Sequence, residues 1–365
     1  MTTELFQRGV RFQDGSVQLT AAAAPNRNLI LNGNFAVDQR NLGVLSAANS
    51  AATVQYIGPD RWCSYGTLAG KFKLQQTVNT TPYRFLQYSH YLTMFSQTTF
   101  TMGSPENYRI SQRIPIEYTR TLQWGVNDGS GANAGSSITL SFWTFSNNTG
   151  LHSGSITNTF DNVNIFPLSY PFSYTIDTVN TWEKKTIVIP PPPAGVGGVV
   201  GWQEPIGMTL NFCMGATGSF VAATAGTWTY AEKYFVSRPS GLPPIASSSQ
   251  VVYWTGIQIE KGTVATETEV VEYGSELSEC QRYFRRVAAN TRAYSFDTGT
   301  NPTTVISYST MRAIPTATII AGSRANATVT VAVLTDSAAG HRCGSTAGTA
   351  TTYAEGDVIL LSAEL

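Results

Sequence analysis

The stretch SSITLSFWTFSNN, Ser136 to Asn148, is where the fold of this chain is decided. Ile138, Leu140 and Phe142 alternate with Thr139, Ser141, Trp143 and Phe145. Successive side chains of a strand point to opposite faces, so this spacing predicts a strand with one apolar face. IGMTLNFCMG (Ile206–Gly215) repeats the pattern, setting Met208, Leu210, Phe212 and Met214 against Thr209, Asn211 and Cys213. VVYWTGIQIEKG (Val251–Gly262) places Ile257 and Ile259 on one side and Trp254, Gln258 and Glu260 on the other. One face of each strand is apolar, and the other mixes small polar groups with aromatics. That is the signature of two packed sheets, each with an inner and an outer face.

The punctuation agrees. NDGSGANAGSS (127–137), PPPPAGVGG (190–198) and SRPSGLPPIASSSQ (237–250) are loops, since proline lacks a donor and glycine is entropically costly to order. With 32 glycines, 17 prolines and 42% apolar residues in 365, the composition suits many short strands joined by turns. Formal net charge is zero, which leaves no electrostatic footprint for nucleic acid or an anionic membrane. Cys63, Cys213, Cys280 and Cys343 lie far apart with no CxxC pair, so buried free thiols are expected rather than a metal site. MTTELFQRGVRFQDG at the N-terminus has no basic region leading into an apolar run, and no window reaches a membrane span. Neither export by a signal peptide nor membrane insertion is expected.

Four units are expected along the chain. In residues 1–25, VRFQDGSVQLTAAAAP alternates around Asp14-Gly15 and fits a hairpin, too small to fold alone, that must dock on its own domain, on sister chains or on another protein. Residues 26–265 form the β-sandwich, 266–289 a connecting helix, and 290–365 a small β segment containing ATVTVAVL and GDVILLSAEL.

The helix is predicted from GSELSECQRYFRR, Gly274 to Arg286, where five of thirteen residues are charged in a chain that is 13% charged overall. Ser275 is its expected N-cap. Glu276 and Glu279 precede Arg282, Arg285 and Arg286, an order that complements the helix dipole. Leu277, Cys280, Phe284 and Val287 make one apolar stripe over about three turns. That stripe either caps its own sandwich or packs against copies of itself around a symmetry axis.

NLILNGNF (Asn28–Phe35), GPDRW (Gly58–Trp62) and IQIEKGTVATETEVVEYGSELSECQRYF (Ile257–Phe284) together resemble the distal receptor-binding region of bacteriophage tail-fibre proteins. FQDGSVQLTAAA near the start, MRAIPTATI (Met311–Ile319) and the terminal SAEL suit the same family. The resemblance implies a galactose-binding-like jelly roll, a Cys-Gln-Arg-Tyr helix and a C-terminal β segment. It implies a virion protein, trimeric, that meets the host surface, with its N-terminal segment bound to another virion protein. It tips the helix towards the symmetry axis, with Leu277, Cys280, Arg282 and Phe284 as trimer contacts. It also implies a buried Trp62, with Asp60 and Arg61 pairing locally. A capsid decoration or baseplate protein of the same fold, without receptor activity, is the alternative.

No catalytic constellation is legible. His90, His152 and His341 are scattered, and no GxSxG, HExxH or P-loop pattern occurs. Asp60, Asp161, Asp177, Glu183 and Glu204 could serve a sugar-cleaving pair only if folding brought two of them together. A binding function needs less. Aromatic rings stack on the C–H faces of sugars, and amides and hydroxyls bond their hydroxyl groups. Trp143 with Ser141, Asn211, and Trp254 with Gln258 supply that mixture on faces expected to be outer. The same aromatics would equally fill a second core. Tyr65, Trp202, Trp228 and Tyr230 are a further group expected in loops. No cofactor is expected beyond a structural Ca²⁺, which jelly rolls of this type often hold, with Asn32, Asn34, Asp38 and Glu260 as candidate ligands. Asn32-Gly33 is equally well read as a simple turn.

Overall fold

The computed structural model describes residues 4–6, 9–11, 17–18, 27–78, 90–125, 135–158, 168–193, 202, 205–236, 243–293, 303–325, 327–333, 335–345 and 352–364. Asp161 and Glu204 lie outside them, as does the side chain of Cys343. At the N-terminus β1 (Glu4–Phe6), β2 (Gly9–Arg11) and β3 (Val17–Gln18) form a small antiparallel sheet. β2 and β3 pair antiparallel, Val10↔Gln18 and Arg11↔Val17, while Asp14 and Gly15, where the turn was expected, lie outside the described residues.

Two five-stranded antiparallel sheets follow. Their strands are β4 (Cys63–Gly66), β5 (Phe72–Val78), β6 (His90–Ser96), β7 (Asn107–Pro115), β8 (Ile138–Ser146), β9 (Gly150–Thr157), β10 (Ser169–Ile176), β11 (Glu183–Ile189), β12 (Ile206–Ala216) and β15 (Val251–Lys261). One sheet has the order β10-β9-β12-β7-β4 and the other β11-β8-β15-β6-β5. Apart from the hairpin pairs β5–β6 and β9–β10, consecutive strands of the two sheets lie in opposite sheets, in the manner of a jelly roll. A one-turn helix, α1 (Ile116–Thr119), leaves β7, and a two-residue parallel pair, β13 (Val221–Ala222) with β14 (Phe235–Val236), lies between β12 and β15.

The core sits where the alternation put it. Ile138, Leu140 and Phe142 of β8, Met208, Leu210, Phe212 and Met214 of β12, and Ile257 and Ile259 of β15 are all buried in one cluster. Trp254 joins them, contrary to its expected outer position. The cause is a β-bulge: Thr255 pairs with Trp143 but Gln258 pairs with Ser141, so β15 carries one extra residue there. Gly256 supplies the positive φ of +59° within it. Residues on either side of a bulge change phase, and Trp254 therefore shares a face with Ile257 and Ile259.

The helix is shorter than expected. Helix α2 spans Tyr273–Gln281, and its N-cap is Glu272, whose carboxylate accepts from the Ser275 N–H at 3.0 Å. Phe284 already begins β16 (Phe284–Ala293), which pairs with β22 (Thr352–Ser362) from Phe284↔Ser362 onwards. Backbone pairing along β22 overrides a local helical spacing. The remaining strands are β17 (Thr303–Ser307), β18 (Thr316–Ile320), β19 (Ser323–Ala325), β20 (Ala327–Val333) and β21 (Ala338–Ser345). They form β16-β22-β18, with β19 also on β22, and β17-β21-β20. Inside this segment His341 and Asp357 are buried together at 2.9 Å.

The two β units meet around Asp60-Arg61-Trp62. Trp62 is fully buried as expected, 5.1 Å from the Phe35 ring, and its indole N–H donates to the Asn32 carbonyl. Asp60 and Arg61 are buried too, but each takes its own partner. Asp60 accepts from the Gln39 backbone N–H and side-chain amide. Arg61 pairs with Glu364, 303 positions away, and donates to the Arg113 carbonyl. Its guanidinium also lies 3.6 Å from the Tyr283 ring centroid. Arg40 pairs with the same Glu364 at 2.8 Å and lies over Phe284 at 3.6 Å. Burial opposes the charge on Arg61, and the adjacent Glu364 carboxylate more than offsets this, raising its pKa.

Burial pushes the Asp60 carboxyl up to about 7, against the lowering effect of the Gln39 hydrogen bonds. The folded state therefore holds a proton that the unfolded chain, titrating near 3.8, has released. Stability is expected to fall as pH rises from about 4 to about 7, by roughly 4 kcal/mol at most, and to level off above. Urea unfolding across that range should show the slope, and Asp60→Asn should flatten it.

Candidate functional site

The outer face of the β10-β9-β12-β7-β4 sheet is almost entirely small and polar. Across neighbouring strands it carries Ser155 and Thr157 of β9, Thr209 and Asn211 of β12, Arg109, Ser111 and Arg113 of β7, and Cys63 and Tyr65 of β4. The alternation that sends Leu210 and Phe212 inward turns these residues outward. All of these except the fully buried Ser155 line a groove that encloses about 250 Å³. The 218–236 segment builds a wall by folding back over the face. Its Tyr234 and Phe235 pack on Cys213, and the Val236 N–H donates to Ser153 Oγ at 3.1 Å.

The floor is preorganised. Ser111 Oγ donates to Asn211 Oδ1 at 2.7 Å, and Asn211 Nδ2 donates to Thr157 Oγ1 at 3.2 Å and Ser155 Oγ at 3.3 Å. The ladder is itself buried, with Asn211 1%, Thr157 3% and Ser111 4% exposed, so it braces the groove from beneath while Tyr65, Arg109, Arg113 and Thr209 are the half-buried lining. Above it, the Arg109 guanidinium lies 4.4 Å from the Tyr65 ring centroid and 4.2 Å from that of Tyr234. Tyr234 donates its hydroxyl to Glu232 at 3.3 Å, and burial is the main cause of its raised pKa. The Cys63 and Cys213 thiols beneath are buried, free and pushed up by that burial, as expected for inert thiols. A groove lined by arginines, tyrosines and a threonine over such a floor can bond a polyol and stack on its apolar faces.

Of the five residues expected at a glycan site, only Asn211 lines this groove. Trp143 is half-buried on the outer face of the opposite sheet. That face carries a second aromatic group, in which Trp182 lies against Tyr91 at 5.5 Å, Phe145 at 5.7 Å and Tyr253 at 6.1 Å. Trp182 thus roofs a row of rings from three adjacent strands. Ser141, Gln258 and Trp254 are buried. Trp254 is in the core through the bulge. Gln258 is covered by the connector after β15, bonding Thr266 Oγ1 and accepting from the Glu269 N–H. Ser141 lies opposite Gln258 in the ladder.

The candidate calcium ligands do not form a set that fits the ion. Asn32 is buried and bonds Val37 and the Asp60 carbonyl. Asn34 accepts from Ala36, and Asp38 from Asn41 and Gly43. Glu260 receives Gln258 and Thr266. These oxygens already serve protein donors, and no group of three Asp, Glu, His or Cys suited to a metal occurs among the described residues.

Two of the four expected trimer contacts, Cys280 and Phe284, are covered by their own chain, whereas Leu277 is half-buried and the Arg282 side chain is 39% exposed. Cys280 is 0% and Phe284 2% exposed, and Arg282 pairs with Glu279 and Glu117 of the same chain. The strand that begins at Phe284 draws that residue under Arg40 and against the end of β22. No helix among the described residues is long and apolar enough to cross a membrane.

Arg109, Arg113 and Tyr234 were not anticipated. The signal was present in NYRISQRIP (Asn107–Pro115), where Arg109, Ser111 and Arg113 alternate with Ile110, Gln112 and Ile114. Two arginines four apart on one strand mark an outward, cationic face. Tyr65, expected in a loop, lies on β4, and Trp202 and Trp124 are buried, 4.9 Å apart. Trp228 packs against both, and Tyr230 is exposed.

No family model matches this chain, and neither does any curated protein. Among solved structures, it is similar to the enzymatically active domain of tailspike protein 4 from bacteriophage CBA120. Identity there is 13%, over 67% of this chain and 22% of that one, with a TM-score of 0.30. It is similar to the CBM22-2 xylan-binding domain from Paenibacillus barcinonensis, at 16% identity over 55% of this chain and 91% of that one, TM-score 0.30. The family 11 carbohydrate-binding module from Clostridium thermocellum gives 11% identity over 61% and 99%, TM-score 0.28. The chain thus spans about a fifth of the tailspike chain and nearly all of the two modules.

Proposed function

We propose that this protein binds carbohydrate in the groove on the β10-β9-β12-β7-β4 sheet, and does so as a host-attachment protein of the phage tail-fibre type. The observation that carries the binding reading is the groove itself, in which half-buried Arg109, Arg113, Tyr65 and Thr209 line the opening above a buried Ser111–Asn211–Thr157 ladder and beside the Tyr234 ring. Sugar recognition needs that combination of held hydroxyl-bonding groups and apolar ring surface. Binding without turnover is supported by the lining: among the described residues it holds one carboxylate, Glu232, where hydrolysis of a glycosidic bond uses two. The attachment role rests on the sequence segments that resemble tail fibres. A trimer would add avidity to weak sites, through contacts that do not include the buried Cys280 and Phe284.

Thr209 lines the groove and is half-buried, so Thr209→Trp should fill the groove without entering the core. On a glycan array the wild-type protein should bind a restricted set of glycans, and the Thr209→Trp variant should lose at least about tenfold in affinity. Equal binding by the two would move the site elsewhere, and no binding by either would remove the reading. For the attachment role, the labelled protein should be seen at the particle surface in micrographs.

A further inference from the structure

We infer that the groove selects an acidic sugar, whose carboxylate is received by Arg109; this rests on the carbohydrate-binding reading above and adds the charge of the ligand. The Arg109 guanidinium carbon lies over the rings of Tyr65 and Tyr234, 4.4 and 4.2 Å from their centroids, contacts that hold the cation without supplying a carboxylate or carbonyl acceptor to its N–H groups. One of these, at Nη1, donates to Asn107 Oδ1. Among the described residues no acceptor meets Nε or Nη2. Those two N–H bonds run parallel and match the two oxygens of a carboxylate. The arginine is therefore oriented in advance by two rings and one amide, with its bidentate edge available.

The surroundings fit the same ligand. Arg113, four residues further along β7 on the same face, adds a second cation to the lining. The buried Ser111–Asn211 pair between the two arginines braces the floor and carries no charge. The lining carboxylate Glu232 bonds the hydroxyl of Tyr234 and opposes an anion. A neutral sugar would gain nothing from the two nitrogens of Arg109, and it would leave a partly desolvated cation without a counter-charge.

The test uses the full-length protein on an array that pairs each uronate- or sialate-bearing glycan with its carboxyl-reduced form and includes sulfated glycans. The bound glycans should carry carboxylates. The reduced forms should bind about tenfold or more weakly, and affinity should fall as salt is raised. Arg109→Gln should abolish the preference, Arg109→Lys should retain part of it, and Glu232→Gln should strengthen acidic binding a few-fold. Circular dichroism of each variant checks folding. Should Arg109→Gln fail to fold, the paired glycans on wild-type protein and the Glu232→Gln variant still decide. Binding of neutral glycans with no loss on carboxyl reduction overturns this inference and leaves the carbohydrate reading standing. Binding confined to sulfated glycans overturns the carboxylate, and no binding at all overturns both.

Discussion

Replacing Arg61 with alanine is expected to cost about 3–5 kcal/mol of stability, because it strips a counter-charge from a carboxylate that stays buried. Its partner Glu364 has a side chain only 5% exposed, and Arg61 itself is 1% exposed. Arg40 would remain as the other partner, but it is more exposed, at 14%. The guanidinium also covers the Tyr283 ring and holds the Arg113 carbonyl, so its loss removes packing and a hydrogen bond as well. The pair joins the jelly roll to the last residues of the C-terminal β unit. Urea unfolding followed by tryptophan fluorescence should show a lower midpoint, and the C-terminal strands should become protease-sensitive first. In a double-mutant cycle, Glu364→Gln combined with Arg61→Ala should cost less than the sum of the single changes. A cost below about 1 kcal/mol would be that of an exposed pair and would contradict the burial described here.

Trp62→Ala is expected to be of similar size, about 3–5 kcal/mol, by a different mechanism. The indole is fully buried between Phe35 and Phe212, with centroids 5.1 and 6.4 Å away. Its removal leaves a cavity in the middle of the sandwich and takes the indole donor from the Asn32 carbonyl. Asn32 in turn braces Val37 and the Asp60 carbonyl. The whole 28–62 segment should loosen, visible as faster amide exchange at Val37 and Asp60. Trp62→Phe keeps most of the volume and should cost markedly less. If alanine and phenylalanine were equally harmful, the indole hydrogen bond rather than the cavity would be the main term.

Much of the architecture was legible before folding was considered. Alternation in Ser136–Asn148 and Ile206–Gly215 placed Phe142, Leu210 and Phe212 in the core, and the period of two in a strand leaves little freedom in that assignment. Charge density marked the helix, and the alternation around Asp14-Gly15 marked the β2–β3 pairing. The candidate site was less legible. Alternation says which residues face out, but not which outer face is concave or which part of it another segment covers. Asn211 and Gln258 are equivalent in sequence terms. The groove receives the first, and the connector after β15 covers the second.

The sequence by itself determined the elements and most of their inner faces, because these depend on spacing over a few residues. Only the tertiary structure decided four other things. It placed Trp254 inward through a one-residue bulge, ended α2 at Gln281 just before pairing with β22 begins at Phe284, joined Arg61 to Glu364 rather than to Asp60, and brought Tyr65 and Tyr234 together around Arg109. Each depends on groups far apart in the chain. Short-range pattern carries no record of such distant meetings, which are fixed by the closure of the sheets.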